Sequence, residues 1–111
     1  MTSAVATNLY VSSYIGTVTT LHLSQSADGS YALSRGTVNN ECGPSPSWLT
    51  RNEHNGVIYC INEGLTGPNG TVTTYTTSPS GELTKLDSHE TLGGPVSGVV
   101  YNAGKAFAAA H

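Results

Sequence analysis

One pattern, repeated at intervals of about 50 residues, limits what this chain can fold into more than any other feature. Leu9-Tyr10-Val11-Ser12-Ser13 leads into Gly16-Thr17-Val18-Thr19-Thr20-Leu21. Ile58-Tyr59-Cys60-Ile61-Asn62 leads likewise into Gly70-Thr71-Val72-Thr73-Thr74-Tyr75. A third copy of the first run stands at Ala106-Phe107-Ala108-Ala109-Ala110. From Leu9 to Ile58 is 49 residues, and from Ile58 to Ala106 is 48. Each Gly-Thr-Val-Thr-Thr run is followed by a polar turn, Ser26-Ala27-Asp28-Gly29 or Ser78-Pro79-Ser80-Gly81, and then by one more extended stretch. Links rich in Gly and Pro, Gly43-Pro44-Ser45-Pro46 and Gly93-Gly94-Pro95, end each period. After them, Ser47-Trp48-Leu49 answers to Ser97-Gly98-Val99.

Thr, Val and Tyr suit strands, whereas Gly, Asn, Ser and Pro suit turns. The class is therefore all-β. Each period reads as four short strands: a (47–51, 96–101), b (8–13, 57–62, 106–111), c (16–23, 70–76) and d (30–37, 82–89). Strand c alternates, with Val18, Thr20 and His22 on one side and Thr17, Thr19, Leu21 and Leu23 on the other. A lone four-stranded meander cannot bury both faces, so it must stack on neighbours. A period of about 40–50 residues with four strands is the sign of a β-propeller blade. The order b-c-d, a-b-c-d, a-b divides one partial domain into 1–45 (a blade lacking its inner strand), 46–94 (a complete blade) and 95–111 (the first strands of another). Propellers use about 4–8 blades. The expectation is that these 111 residues are a piece of a longer protein.

Composition then narrows the function classes. Lys+Arg is 4 against Asp+Glu 7, a net charge of −3. That leaves no basic footprint for nucleic acid and no polybasic segment for an anionic membrane. No apolar run approaches the roughly 20 residues that span a bilayer. Residues 1–8 show neither a basic start nor a long apolar stretch, so no secretory signal is visible. Cys42 and Cys60 form neither a CxxC pair nor a disulfide framework. They read as two reduced, mostly buried thiols of a cytoplasmic protein, with a 42–60 bridge as the minor alternative. Asn69-Gly70-Thr71 is a formal N-glycosylation sequon that reads first as a turn between strands b and c.

These residues together resemble the N-terminal part of the seven-bladed β-propeller lactonases. That family includes 6-phosphogluconolactonase-like and 3-carboxy-cis,cis-muconate-lactonising-like proteins, and the resemblance is closest in its fungal branch. It is carried by Leu9-Tyr-Val-Ser-Ser-Tyr14 with Gly16-Thr-Val-Thr-Thr20, and by Cys42-Gly-Pro-Ser-Pro-Ser-Trp-Leu49. Ile58-Tyr-Cys-Ile-Asn-Glu63, Gly81-Glu-Leu-Thr84, Gly93-Gly-Pro-Val-Ser97 and Ala106-Phe-Ala-Ala-Ala-His111 complete it. The resemblance implies a small-molecule lactone as substrate of a longer parent, with hydrolysis or the reverse cyclisation as its reaction. It leaves a divalent cation open as cofactor and no metal ligand assigned. Relatives often carry a Pro-x-His in strand a; here the stretches are Pro46-Ser47-Trp48 and Pro95-Val96-Ser97. Much of the catalytic set is implied to lie in further blades, so this chain alone is expected to be inactive.

In an up-and-down blade the d→a and b→c loops share one face, which here takes residues 38–46, 62–69 and 90–95 with His111. Glu63, beside Asn62 at the end of strand b, is the first candidate: a carboxylate there can act as general base on a water or hold a metal. His111 ends the equivalent strand one period later and is the second catalytic candidate, since imidazole suits proton transfer. Trp48 on an inner strand and Glu41 on the same face join Asn62 as candidate substrate-binding residues, although Trp48 reads first as an anchor between blades. His22, His54 and His89 have no metal-ligand spacing, Arg35 and Arg51 read as surface residues, and neither a phosphate loop nor a Gly-x-Ser-x-Gly elbow occurs. Two rival readings remain. One is a non-catalytic binding module that closes a ring by oligomerising, and the other a free-standing β-sandwich. Unclosed blades leave edges and apolar faces that promote self-association.

Overall fold

The computed structural model describes residues 5–110, and every repeat element is a strand in it. β1 (Val5–Ser13), β2 (Thr17–Gln25) and β3 (Tyr31–Asn39) form a first antiparallel sheet. β4 (Pro46–Arg51), β5 (Ile58–Asn62), β6 (Thr71–Thr77) and β7 (Leu83–Glu90) form a second. β8 (Ser97–Tyr101) and β9 (Ala106–Ala110) pair as a third. Strand order within each sheet follows chain order, the up-and-down meander of propeller blades. No helix among the described residues is long and apolar enough to cross a membrane.

The sheets stack through the two-residue period of their strands. On β5, Ile58 and Cys60 are buried with Val18 of β2 and Tyr75 of β6, so they face the first sheet. Tyr59 and Ile61 point the other way. The Tyr59 ring stacks on Phe107 of β9 with centroids 4.3 Å apart and planes 9° from parallel. A Cβ on Gly98 would lie 2.2 Å from the Phe107 ring and 3.0 Å from Ile61, so the Phe107 ring can lie over β8 beneath Tyr59 only because residue 98 has no side chain. The alternation expected on strand c holds for Val18 and Thr20, both buried.

Polar groups pin the stack where apolar ones fill it. The buried Thr20 hydroxyl donates to the Gly81 carbonyl at 2.8 Å, and the Asn8 amide donates to Pro79 O at 3.1 Å. Both acceptors sit in the β6–β7 turn, which Gly81 closes with a φ of 85°. The Tyr75 hydroxyl donates to Asn39 Oδ1 at 2.8 Å. Burial, with the Glu41 charge adding to it, pushes that hydroxyl up to about 12. Between the second and third sheets, the Asn52 amide donates to Gly104 O at 2.8 Å. The stack stays open on its outer side. Its extents are 54 × 32 × 20 Å. Its 6614 Å² of surface exceeds the roughly 5,800 Å² of a compact monomer of this mass.

The cysteines correct the sequence reading. Cys42 and Cys60 are joined in a disulfide, with Cα atoms 6.1 Å apart. Cys60 faces the first sheet, and the link from β3 to β4 carries Cys42 across that same face. Their proximity is a product of blade stacking, which spacing along the chain does not reveal. Closing a loop over a separation of 18 residues restricts the unfolded chain by about 3 kcal/mol. Reduction is expected to lower the unfolding free energy of the chain by about that much in denaturant titrations with and without reductant. Coincident titrations would show that the bridge contributes nothing.

Candidate functional site

The links between strands are bound to one another on one face of the stack. Glu63 N–H donates to Ser45 O at 3.0 Å, and Gly94 N–H donates to Glu63 O at 3.2 Å. Thr91 N–H donates to Gly70 O at 2.9 Å. Thus the β3–β4, β5–β6 and β7–β8 connections converge on the backbone around Glu63. The main chain of Glu63 is held from both sides, which fixes where its side chain starts.

Among the described residues that side chain has one hydrogen-bond partner. The Tyr14 hydroxyl donates to Glu63 Oε1 at 2.5 Å. Tyr14 is 57% exposed, so the pair meets solvent. The hydrogen bond to Glu63 raises the Tyr14 pKa above the ordinary tyrosine value, with desolvation and the carboxylate charge adding to it. Losing the phenolic proton would place two negative charges side by side and remove the donor. Tyr14 and Glu63 are equivalent residues of successive repeats, each following a b strand and 49 residues apart. His111 follows β9 at the next equivalent place, 48 residues after Glu63, and lies outside the described residues.

Asn62 supports this site from beneath. It is 5% exposed. Its Oδ1 accepts from Ser45 N–H at 2.8 Å and Gly64 N–H at 3.4 Å, and its Nδ2 donates to Thr71 Oγ1 at 3.2 Å. These bonds commit the side chain to holding the loops. A Cβ on Gly43 would sit 2.5 Å from Asn62 Nδ2, so that loop is drawn tightly over it. Trp48 takes the anchoring role in this structure. Its indole N–H donates to Thr50 Oγ1 at 2.8 Å and to Gly98 O at 3.2 Å, tying the second sheet to the third. At 42% exposure it also offers ring surface. Glu41 accepts from Asn39 Nδ2 at 2.9 Å.

The remaining ionisable groups are scattered. His22 pairs with Asn8 Oδ1 at 2.9 Å, His89 with Asp87 at 3.0 Å, and Arg51 with Glu53 at 2.8 Å. Among the described residues no group of three or more His, Cys, Asp or Glu could hold a metal ion. Glu63 is the single carboxylate described at this place, and its defined partner is the Tyr14 hydroxyl, a donor rather than a metal ligand. Tyr14 is the residue that motif reasoning passed over as a site member. The 49-residue offset that places it opposite Glu63 was the signal.

The family model described as "Lactonase, 7-bladed beta-propeller" matches residues 8–111. Neither the curated proteins nor the solved structures supply a match.

Replacing Glu63 by Ala is expected to return the Tyr14 hydroxyl towards the ordinary tyrosine pKa, read by ultraviolet or carbon-13 titration of the phenol. An unmoved Tyr14 titration would mean the pair does not form in solution.

Proposed function

We propose that this chain, which belongs to the seven-bladed β-propeller lactonase family, supplies the first blades of an enzyme acting on a lactone. The substrate is a sugar-acid or muconate-type lactone, and the reaction is hydrolysis or the reverse cyclisation. The fungal 6-phosphogluconolactonase-like and carboxymuconate-lactonising-like proteins are the branch that its strand motifs resemble. The observation that carries this reading is the Glu63–Tyr14 pair: a carboxylate fixed by its own backbone, oriented by a phenol, and open to solvent.

The chemistry follows from those groups. Glu63 takes a proton from water as the water oxygen adds to the lactone carbonyl carbon. The ring C–O bond then breaks, and the departing alkoxide recovers the proton. Tyr14 keeps the Glu63 oxygen aimed and is a positioning residue. Donors for the carbonyl oxygen come from further blades. Nine strands are present in the described residues, fewer than three blades of seven, which supports reading the chain as one part of a site completed by further blades.

Open blade faces favour a second reading, a binding module assembled from copies of the chain. Among the described residues β1 pairs only with β2. A groove of about 610 Å³ runs between the second and third sheets, lined by Tyr59, Val72, Leu92 and Phe107 among others. Such edges and faces associate.

Lactone hydrolysis should appear in a seven-bladed protein containing this chain and be missing from the chain alone. Glu63→Gln in the seven-bladed protein should lower kcat by about 10²–10⁴-fold. Unchanged kcat would remove Glu63 from the chemistry. A discrete closed oligomer of the chain alone, seen by light scattering and binding a ligand without turnover, would establish the binding module instead.

A further inference from the structure

The connection between β5 and β6 carries Asn69-Gly70-Thr71 on the same face as Glu63. Gly67 N–H closes a turn onto Gly64 O at 3.1 Å, and Gly70 O is bound by Thr91 N–H. Between those two anchors Asn69 is exposed, while Gly70 is buried. The side chain that would carry a glycan therefore points away from the packed loops. An exposed loop residue of this kind suits a bulky surface modification.

A second, independent observation concerns compartment. The Cys42–Cys60 bridge is enclosed between the first two sheets, with Cys42 1% exposed and Cys60 0%. Protein disulfides persist in oxidising compartments and are rare in the cytosol. The same lumen that oxidises thiols is where N-linked oligosaccharide is transferred. The expectation of a cytoplasmic chain leaned on two reduced thiols and on the lack of a visible secretory signal, and the bridge removes the first of those supports.

From these two features we propose that Asn69 is an N-glycosylation site and that the chain is made in an oxidising lumen. In the transfer, Asn69 Nδ2 bonds to the anomeric carbon of a lipid-diphosphate-linked oligosaccharide. The bond from that carbon to phosphate breaks, the lipid diphosphate leaves, and the amide gives up one proton. Thr71 sets the order of events. Its hydroxyl donates to Cys42 O at 3.3 Å and accepts from Asn62 Nδ2, so folding locks away the sequon hydroxyl that the transferase must engage. Transfer precedes docking of the Cys42 link and closure of the bridge. Neither observation involves Glu63 or lactone chemistry.

The test uses the protein made from its own gene in its own cells. An amidase that releases N-glycans should convert Asn69 to Asp and shift the band by one glycan. Asn69→Gln should abolish the shift, and Thr71→Ser, which keeps the hydroxyl, should preserve it. Cys60→Ser, which cannot close the bridge, should be modified at least as fully as the parent chain. Unmodified Asn69 in the parent chain overturns the proposal. Lower occupancy in Cys60→Ser overturns the order of events.

Discussion

Stacking of one sheet on the next through alternating side chains is the constraint from which everything else here follows. A strand of five residues such as β5 has two faces and no room for a core of its own. It sends Ile58 and Cys60 to one neighbour and Tyr59 and Ile61 to the other. Burying a side chain such as Val18 or Ile58 contributes about 1.5–3 kcal/mol. An exposed pair such as Arg51–Glu53 contributes about 0–1 kcal/mol. Packing between sheets therefore holds the molecule, and surface charge does not. The sparse charge of the sequence, 10% of residues, agrees with that balance.

Stacking also builds the candidate site. Repeats that pack in register carry equivalent residues to neighbouring positions, and the ends of successive b strands meet on the loop-rich face. Tyr14 and Glu63 touch for that reason, though 49 residues apart. The loops around them are bound mostly by backbone groups, so the carboxylate rests on a frame that does not depend on its own charge. Asn62 shows how the frame is made. A buried amide satisfies two loop N–H groups and one hydroxyl, bonds that are costly to leave unmade once water is excluded.

The strands were legible because they depend on local signals: β-formers in period-two runs, with Gly, Pro and Ser at the turns. Their sheet membership followed from the repeat. What depends on stacking was harder to read. The bridge between Cys42 and Cys60 ranked below free thiols because its closeness arises only when the β3–β4 link crosses the next sheet. Trp48 could be read as anchor or as channel lining from its strand alone, and the bond from its indole N–H to Gly98 O, which ties the second sheet to the third, depends on stacking. Asn62 was read as substrate-binding from its place beside Glu63. Its burial beneath the loops, a tertiary effect, commits it to support. Tyr14 was hidden in plain view, since its role appears only when the repeat is used to align residues rather than strands.

The central claim is that the first two repeats are stacked blades whose faces interlock. It is tested most directly by nuclear Overhauser contacts across the first interface, in labelled chain held dilute enough to stay monomeric. The account predicts contacts from the Thr20 methyl to the Gly81 α-protons, and from the Tyr75 ring to Val18. Strong contacts within each sheet, with none between Thr20 and Gly81, would mean that the repeats fold as separate meanders, and the site built by their stacking would fall with them.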